Sequence, residues 1–428
     1  MSDPRELAFS AIKNSLSQRG FLTIPAADNL SAADIPFVNM LCLTAVRNLT
    51  GIQLILKDFL RKKLPPKARD AWYLLLLGTT ELLYMRTPDY AVINSYVNLA
   101  KKLTDRYVAN MVNAVLRNIS RQKEELRANE YPFFPDNFRT ILKQDYAPET
   151  IKKIEQAARS EPPLTISVKK DTADWAQRLN GTHIAGNSLK IDNAGQITAL
   201  DGYADGAWWV QDFAASLAVT ALSPLSGMRV LDLCAAPGGK TAQLLSAGAN
   251  VTSLDSSAER LKTLRENISR LQLPMPEIIN DDAARFLQNY NGPRFDAIIL
   301  DAPCSATGIF RRHPELIHFK DKNDTAKQAA LQKKILEQIS CALKPDGILI
   351  YCVCSIAKCE GERQIRRFLE THPDFKAVPI TEKDLHPRPG ISLRELITKE
   401  GFVRTLPYML SAVGGIDSFF IAKLHKEK

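Results

Sequence analysis

Two short segments put cysteine where covalent chemistry could be done. One is Asp301-Ala302-Pro303-Cys304-Ser305, the other Tyr351-Cys352-Val353-Cys354-Ser355. Each closes an apolar run that reads as a strand, so both thiols fall at strand ends. A cysteine there is ordinarily structural. Two of them beside a ligand loop suggest nucleophilic catalysis, in which a thiolate splits one hard step into two easier ones. The loop is Asp232-Leu233-Cys234-Ala235-Ala236-Pro237-Gly238-Gly239-Lys240-Thr241. Its small residues and glycines allow a tight turn and close backbone approach. The helix that starts there offers free N–H groups.

Three nucleotide ligands compete for this loop. Gly239-Lys240-Thr241 fits the end of a P-loop, but position 234 is cysteine where the first glycine belongs. The G-x-G-x-x-G dinucleotide fingerprint is absent. S-adenosyl-L-methionine remains, since it carries no phosphate and needs no P-loop cradle. Cys234, Ala235, Ala236, Pro237, Gly238, Gly239 and Lys240 are then the cofactor loop. Asp255 ends the second strand, where one carboxylate can accept from both ribose hydroxyls. Asp282 follows a third strand and could accept from an adenine amino group. Asp301 lies at the same edge and is counted with the cofactor and the catalytic residues. Strand-end aspartates are ordinarily turn or cap residues. Loop, Asp255 and Asp282 in register on one domain favour the cofactor.

The elements that position these residues alternate from residue 211 onward. Strand runs fall at Arg229–Leu233, Asn250–Leu254, Ala297–Leu300 and Gly347–Val353. Helical patterns separate them at about 240–247, 257–272 and 325–343. This predicts an α/β, Rossmann-like, doubly wound parallel sheet with its ligands at the carboxyl ends of the strands. Residues 1–130 read as all helix, with apolar spacing over Leu7–Leu16, Phe37–Leu60, Ala71–Met85, Ala91–Leu103 and Val108–Leu126. Tyr131-Pro132-Phe133-Phe134-Pro135 closes that region. Residues 131–210 predict a small α+β module: helices at 136–144, 148–159 and 172–180, a strand over Leu164–Val168, and short strands through 188–210.

Composition bounds the rest. The chain has 428 residues, seven cysteines and a formal charge of +9. Residues 1–130 hold 18 Lys+Arg against 12 Asp+Glu, so two thirds of the excess lies there. That suits a polyanion such as nucleic acid. Arg61-Lys62-Lys63, with Lys67 and Arg69, is the densest basic patch, and Arg311, Arg312 and His313 could hold phosphate or base. The start, MSDPRELAFS, has no apolar signal stretch, which predicts a cytoplasmic protein with reduced thiols. The apolar run Ala71–Leu83 contains Glu81 and is too short for a bilayer span, so no membrane partner is expected. Cys42 and Cys341 read as packing residues. The spacing of Cys341, Cys352, Cys354 and Cys359 is not a zinc pattern, so no metal is expected.

Beyond this the chain resembles a known family. The Cys234–Lys240 loop, the Asp-Ala-Pro-Cys motif and the later Cys-Ser motif look like those of the RNA 5-methylcytosine methyltransferases. The N-terminal helices, with Asn113-Ala114-Val115-Leu116-Arg117, look like the NusB-like domain fused to that enzyme in the Sun/Fmu/RsmB group. Val210-Gln211-Asp212 and Asp417-Ser418-Phe419-Phe420 are similar to that group too. The resemblance implies an RNA-binding domain over 1–130, a linker module over 131–210 and a catalytic domain over 211–428. It also implies a 16S ribosomal RNA cytosine as substrate, as free RNA or an early assembly intermediate. Cys354 is implied as the nucleophile at C6, Cys304 as the residue that helps release it, and Asp301 as the contact to the N3/N4 edge. Two other readings stand beside it: an RNA-binding assembly protein without catalysis, and the same chemistry on transfer RNA. Three positions depart from the group. Val353 stands for a usual Thr, Gly361 for a common Asn, and Ser167 for a usual Arg.

Overall fold

A computed structural model of the chain describes residues 3–24, 34–60, 64–65, 68–192 and 194–428. The chain folds as two compact units. One holds Met1–Thr140 with Arg312–Lys320, the other Ile141–Arg311 with Asp321–Lys428.

The first unit is helical. Pro4–Gln18, Asp34–Arg47, Leu49–Phe59, Arg69–Tyr84, Asp89–Leu103 and Arg106–Arg121 are its longer helices. The apolar spacing over Phe37–Leu60 continues through a break at Asn48, which bends the chain by 75°. Asn48 turns its own amide onto Thr44 O at 2.9 Å, an alternative to continuing the helix. No single described helix is long and apolar enough to cross a membrane. The basic residues Arg61, Lys62, Lys63 and Lys67 lie outside the described residues; Arg69 opens a helix.

Glu81 is fully buried in this unit. Arg5 grips both its oxygens, at 3.0 and 2.5 Å, and Tyr96 Oη donates at 3.2 Å. The segment Arg312–Lys320 joins the same unit through its own polar groups. Buried Glu315 accepts the Leu22 N–H at 3.0 Å, and Asn137 Nδ2 donates to Lys320 O at 2.8 Å. His318 Nε2 donates to Val46 O at 2.9 Å. Burial pushes its imidazole down to about 4, so it stays neutral near pH 7.

The second unit carries two sheets. The small one comprises β1 (Leu164–Val168), β2 (Thr182–Ala185), β3 (Ser188–Ile191) and β4 (Trp208–Val210) in the order β2-β3-β1-β4, all antiparallel. The large one begins with β5 (Arg229–Leu233), β6 (Asn250–Asp255), β7 (Glu277–Asn280), β8 (Phe295–Asp301) and β9 (Leu343–Val353). These are mutually parallel, as the alternating pattern requires. The sheet also takes in β10 (Phe375–Ala377), β11 (Val403–Thr405) and β12 (Phe419–Lys426). Its order is β10-β12-β9-β8-β5-β6-β7, and β11 pairs β12. So the expected parallel sheet is mixed: β12 runs antiparallel against β9, and β10 and β11 run antiparallel to β12.

The Arg5–Glu81 pair predicts a local cost. Arg5→Met keeps the stem but leaves a buried carboxylate without its cation, which destabilises by about 3–5 kcal/mol. Amide hydrogen exchange across Arg69–Tyr84 should show weaker protection. Unchanged protection would mean that Glu81 needs no countercharge.

Candidate active site

The central strand β5 delivers the glycine loop. Cys234 takes φ 61° and Gly238 φ 101°, with a cis Ala236–Pro237 bond between them. A Cβ at Gly238 would stand 2.9 Å from Leu264 Cγ, so both the dihedral and the space ask for glycine. The helix Gly239–Ser246 starts directly after. Burial pushes the Cys234 thiol up, which makes it a packing group.

Each expected acid has a definite partner. Asp255, 2% exposed, accepts the Ala236 N–H at 3.1 Å and the Ser257 N–H at 3.0 Å, and the Arg260 guanidinium lies 3.3 Å away. It thereby fixes the glycine loop to the end of β6. Asp282 caps the helix Ala283–Gln288 by accepting the Arg285 N–H at 3.0 Å. Asp301 Oδ2 takes Lys240 Nζ at 2.7 Å, and Cys352 Sγ lies 3.6 Å from Oδ1. Burial alone would lower the Lys240 ammonium, but Asp301 reverses that and raises it, so the lysine stays charged.

Asp232 on β5 is different. It is fully buried, accepts the Thr241 hydroxyl at 2.6 Å through Oδ2, and leaves Oδ1 without a hydrogen-bond partner. Burial pushes its carboxyl up to about 7, although Thr241 and Lys240 pull the other way. These features bear on cofactor fit. The carboxyl edge of β8, β5, β6 and β7 presents an acid at each strand and a tight loop at the middle, a donor and acceptor set suited to a ribose, an adenine amino group and a cation.

The two thiols meet. Cys304 Sγ and Cys354 Sγ are 3.3 Å apart. The hydrogen bond to Cys354, then burial, hold the Cys304 thiol well above its usual range. Cys304 therefore keeps its proton near pH 7. β8 and β9 run parallel with Asp301 opposite Cys352, so the two loops leave the sheet as neighbours.

Sequence reasoning missed the polar groups behind the thiols. Ser305, Thr307, Ser355 and Glu360 are fully buried and bonded to one another. Their only signal was a serine after each cysteine. Arg404, 5% exposed, was missed as well. It binds Glu362 through two nitrogens, at 3.0 and 2.6 Å, and donates to Ser355 O at 2.6 Å.

The three departures acquire reasons. A Cβ at Gly361 would come 2.3 Å from the Arg404 guanidinium, so glycine makes room for that cation. Val353 is fully buried in the apolar core opposite Phe420 of β12, and Ser355 carries the local hydroxyl instead. Ser167 donates to Gln211 Oε1 at 2.8 Å inside the small sheet. Two other expectations need correction. Arg311 is 2% exposed and donates to Gly414 O at 3.0 Å, so it faces inward. Cys341 is exposed, on the short helix Ile339–Ala342, and does not pack.

Residues 219–425 match the family of 16S rRNA methyltransferase RsmB/F, and residues 2–121 match the NusB family. The chain is 36% identical over 375 residues to ribosomal RNA small subunit methyltransferase B of Vibrio cholerae, covering 83% of this chain and 86% of the relative. Its counterpart in Serratia proteamaculans is 34% identical over 393 residues, covering 87% and 91%. The crystal structure of a methyltransferase homolog protein from Pyrococcus horikoshii superposes with a TM-score of 0.54 at 25% identity, over 68% of this chain and 99% of that one.

Asp232 makes a pH prediction. An unfolded aspartate titrates near 4, whereas folded Asp232 keeps its proton to about 7. Between those values the folded state binds more protons, so this contribution falls as pH rises, by up to about 1.4 kcal/mol per unit. It is full below pH ~4 and lost as pH rises through about 7. Asp232→Asn should flatten the slope of urea-unfolding free energy between pH 5 and 7. Parallel slopes in both proteins would exclude a proton held on Asp232.

Proposed function

The chain belongs to the ribosomal RNA small subunit methyltransferase B family, S-adenosyl-L-methionine-dependent enzymes, and we propose that it forms 5-methylcytosine at one cytosine of 16S ribosomal RNA. The observation that carries this reading is the 3.3 Å pair of thiols at the carboxyl edge of the sheet, beside the Lys240–Asp301 ion pair.

C5 of cytosine is a weak nucleophile. Addition of the Cys354 thiolate at C6 forms a C–S bond and moves the C5–C6 electron pair onto C5. When bound, S-adenosyl-L-methionine supplies an electrophilic methyl group for that carbon. Cys234 to Lys240, Asp255, Asp282 and Asp301 are the residues that would hold it. Asp301, bonded by Lys240, accepts from the N3/N4 edge and stabilises the protonated base of the adduct. C5 then gives up its proton to a solvent base, the electron pair re-forms C5–C6, and the C6–S bond breaks to return Cys354 as thiolate, a release that the protonated Cys304 assists as hydrogen-bond donor to the departing sulfur. A stacked target cytosine must be turned out of its stack to reach the thiol. Cys304, held protonated beside Cys354, is placed to leave the attacking role to its neighbour.

In this reading residues 1–130 bind RNA, 131–210 link and 211–428 catalyse. The basic excess of the first segment supports it. Reversing Arg61, Lys62 and Lys63 should weaken RNA binding and lower the slope of log K against log salt by about 0.7–0.9 for each phosphate no longer neutralised. An unchanged slope would assign that patch to solvent.

The roles of the thiols separate in one experiment, run with an RNA that the unmodified enzyme methylates. Cys354→Ala should abolish methyl transfer while S-adenosyl-L-methionine still binds. Cys304→Ala should accumulate a protein–RNA species that survives denaturation, because attack is intact and release is not. The double variant should behave as Cys354→Ala. An adduct with Cys354→Ala and none with Cys304→Ala would exchange the two roles.

A further inference from the structure

We propose that Glu360 is a positioning residue for the two thiols, its buried carboxylate tying the loop that carries Cys304 to the loop that carries Cys354. Its bearing on the reaction rests on the two-thiol reading above.

Glu360 is fully buried, yet four donors reach it. Ser305 N–H and Gln332 Nε2 donate to Oε2, at 2.9 and 3.0 Å. The Ser305 and Ser355 hydroxyls donate to Oε1, the latter at 2.6 Å. Thr307 Oγ1 lies 2.9 Å from Ser305 Oγ and 3.0 Å from Ser355 Oγ. Both serine protons go to Glu360, so Thr307 is the donor to one of them. Gln332 Nε2 reaches Pro303 O as well, at 3.0 Å. Both loops are therefore held by hydrogen bonds that end on one side chain.

The placement is specific to the thiols. Ser305 follows Cys304 and Ser355 follows Cys354. Each cysteine is thereby tethered, through the serine that follows it, to one carboxylate. A carboxylate is a poor choice for stability alone. Removing it from water is costly, and burial raises its pKa. Apolar side chains would pack two loops without that cost, but they would not fix direction. An ionised carboxylate is acceptor-only and takes all four donors at once.

Glu360→Gln keeps the shape and removes half of the acceptors. Its amide nitrogen would face the two serine hydroxyls, whose protons would lose their common acceptor. The variant should lower kcat by about tenfold to a hundredfold, the usual cost of a small misplacement of reacting groups. KM for RNA and for S-adenosyl-L-methionine should stay unchanged. A second readout needs no RNA. Diamide takes two electrons and two protons from a close pair of thiols, giving a disulfide and the corresponding hydrazine. Peptide mapping then follows the Cys304–Cys354 bond with time. Glu360→Gln should form it about tenfold more slowly, in proportion to the poorer alignment. Should that variant not fold, Ser355→Ala removes one donor of the four and should move both readouts in the same directions, by less. Cross-linking at the unmodified rate in a folded Glu360→Gln would overturn the proposal. Slower cross-linking with an unchanged kcat would overturn the two-thiol reading of the reaction and leave the placement by Glu360 standing.

Discussion

Two loops that leave neighbouring parallel strands have no reason of their own to bring their side chains together. Parallel strands run about 4.8 Å apart, and their loops are free to diverge once the ladder ends. Here four donors converge on the Glu360 carboxylate and hold them side by side, with two sulfurs 3.3 Å apart at the edge. The backbone adds its own bond, Gly308 N–H to Cys354 O at 3.0 Å. Glycine is required there, because a Cβ at 308 would stand 2.1 Å from Ser418 O. That approach brings the turn before β12 against the same loop pair. Thiol separation and the seating of the turn before β12 thus share one constraint.

The mixed sheet follows from the same need. A parallel sheet binds ligands outside the carboxyl ends of its strands, and the helices on its faces leave that edge open. Beyond β9 the sheet continues sideways: antiparallel β12 pairs β9 along Val353 to Ile348, and β10 forms the edge strand. Phe420 of β12 then lies over Val353, and Arg404 of β11 stacks on Phe420 at 4.9 Å while it binds Ser355 O. An apolar valine before the nucleophile and a glycine at 361 are compatible with this arrangement. A threonine hydroxyl at 353 would be buried against a phenylalanine, and any Cβ at 361 would meet the Arg404 cation.

Period and punctuation made much of the fold readable. The alternation from residue 211 led to the parallel strands, because each carries a near-continuous apolar run and each helix a 3.6-residue stripe. The loop, Asp255, Asp282, Asp301 and both thiols could be placed at strand ends from the sequence, and the structure has them there. What escaped was non-local. β12 was not among the predicted strands, and nothing in its residues says that it inserts between β9 and β10. The break at Asn48 escaped because apolar spacing runs through it, and the bend comes from an amide turned back on Thr44. Glu360 looks like any helix-leading glutamate in Cys359-Glu360-Gly361-Glu362. Its role depends on Ser305 and Gln332, which lie 55 and 28 residues away.

The acids along the edge divide by what pairs with them. Asp301 and Asp232 lie on adjacent strands, and one lysine serves both sides of that boundary. Lys240 bonds Asp301 directly and reaches Asp232 only through space. Burial pushes the fully buried Asp232 up to about 7, against the pull of Lys240, while the partly exposed Asp301 holds the lysine directly. The salt bridge therefore forms at the partly exposed acid, at the mouth of the site, while the buried acid behind it is held by the Thr241 hydroxyl.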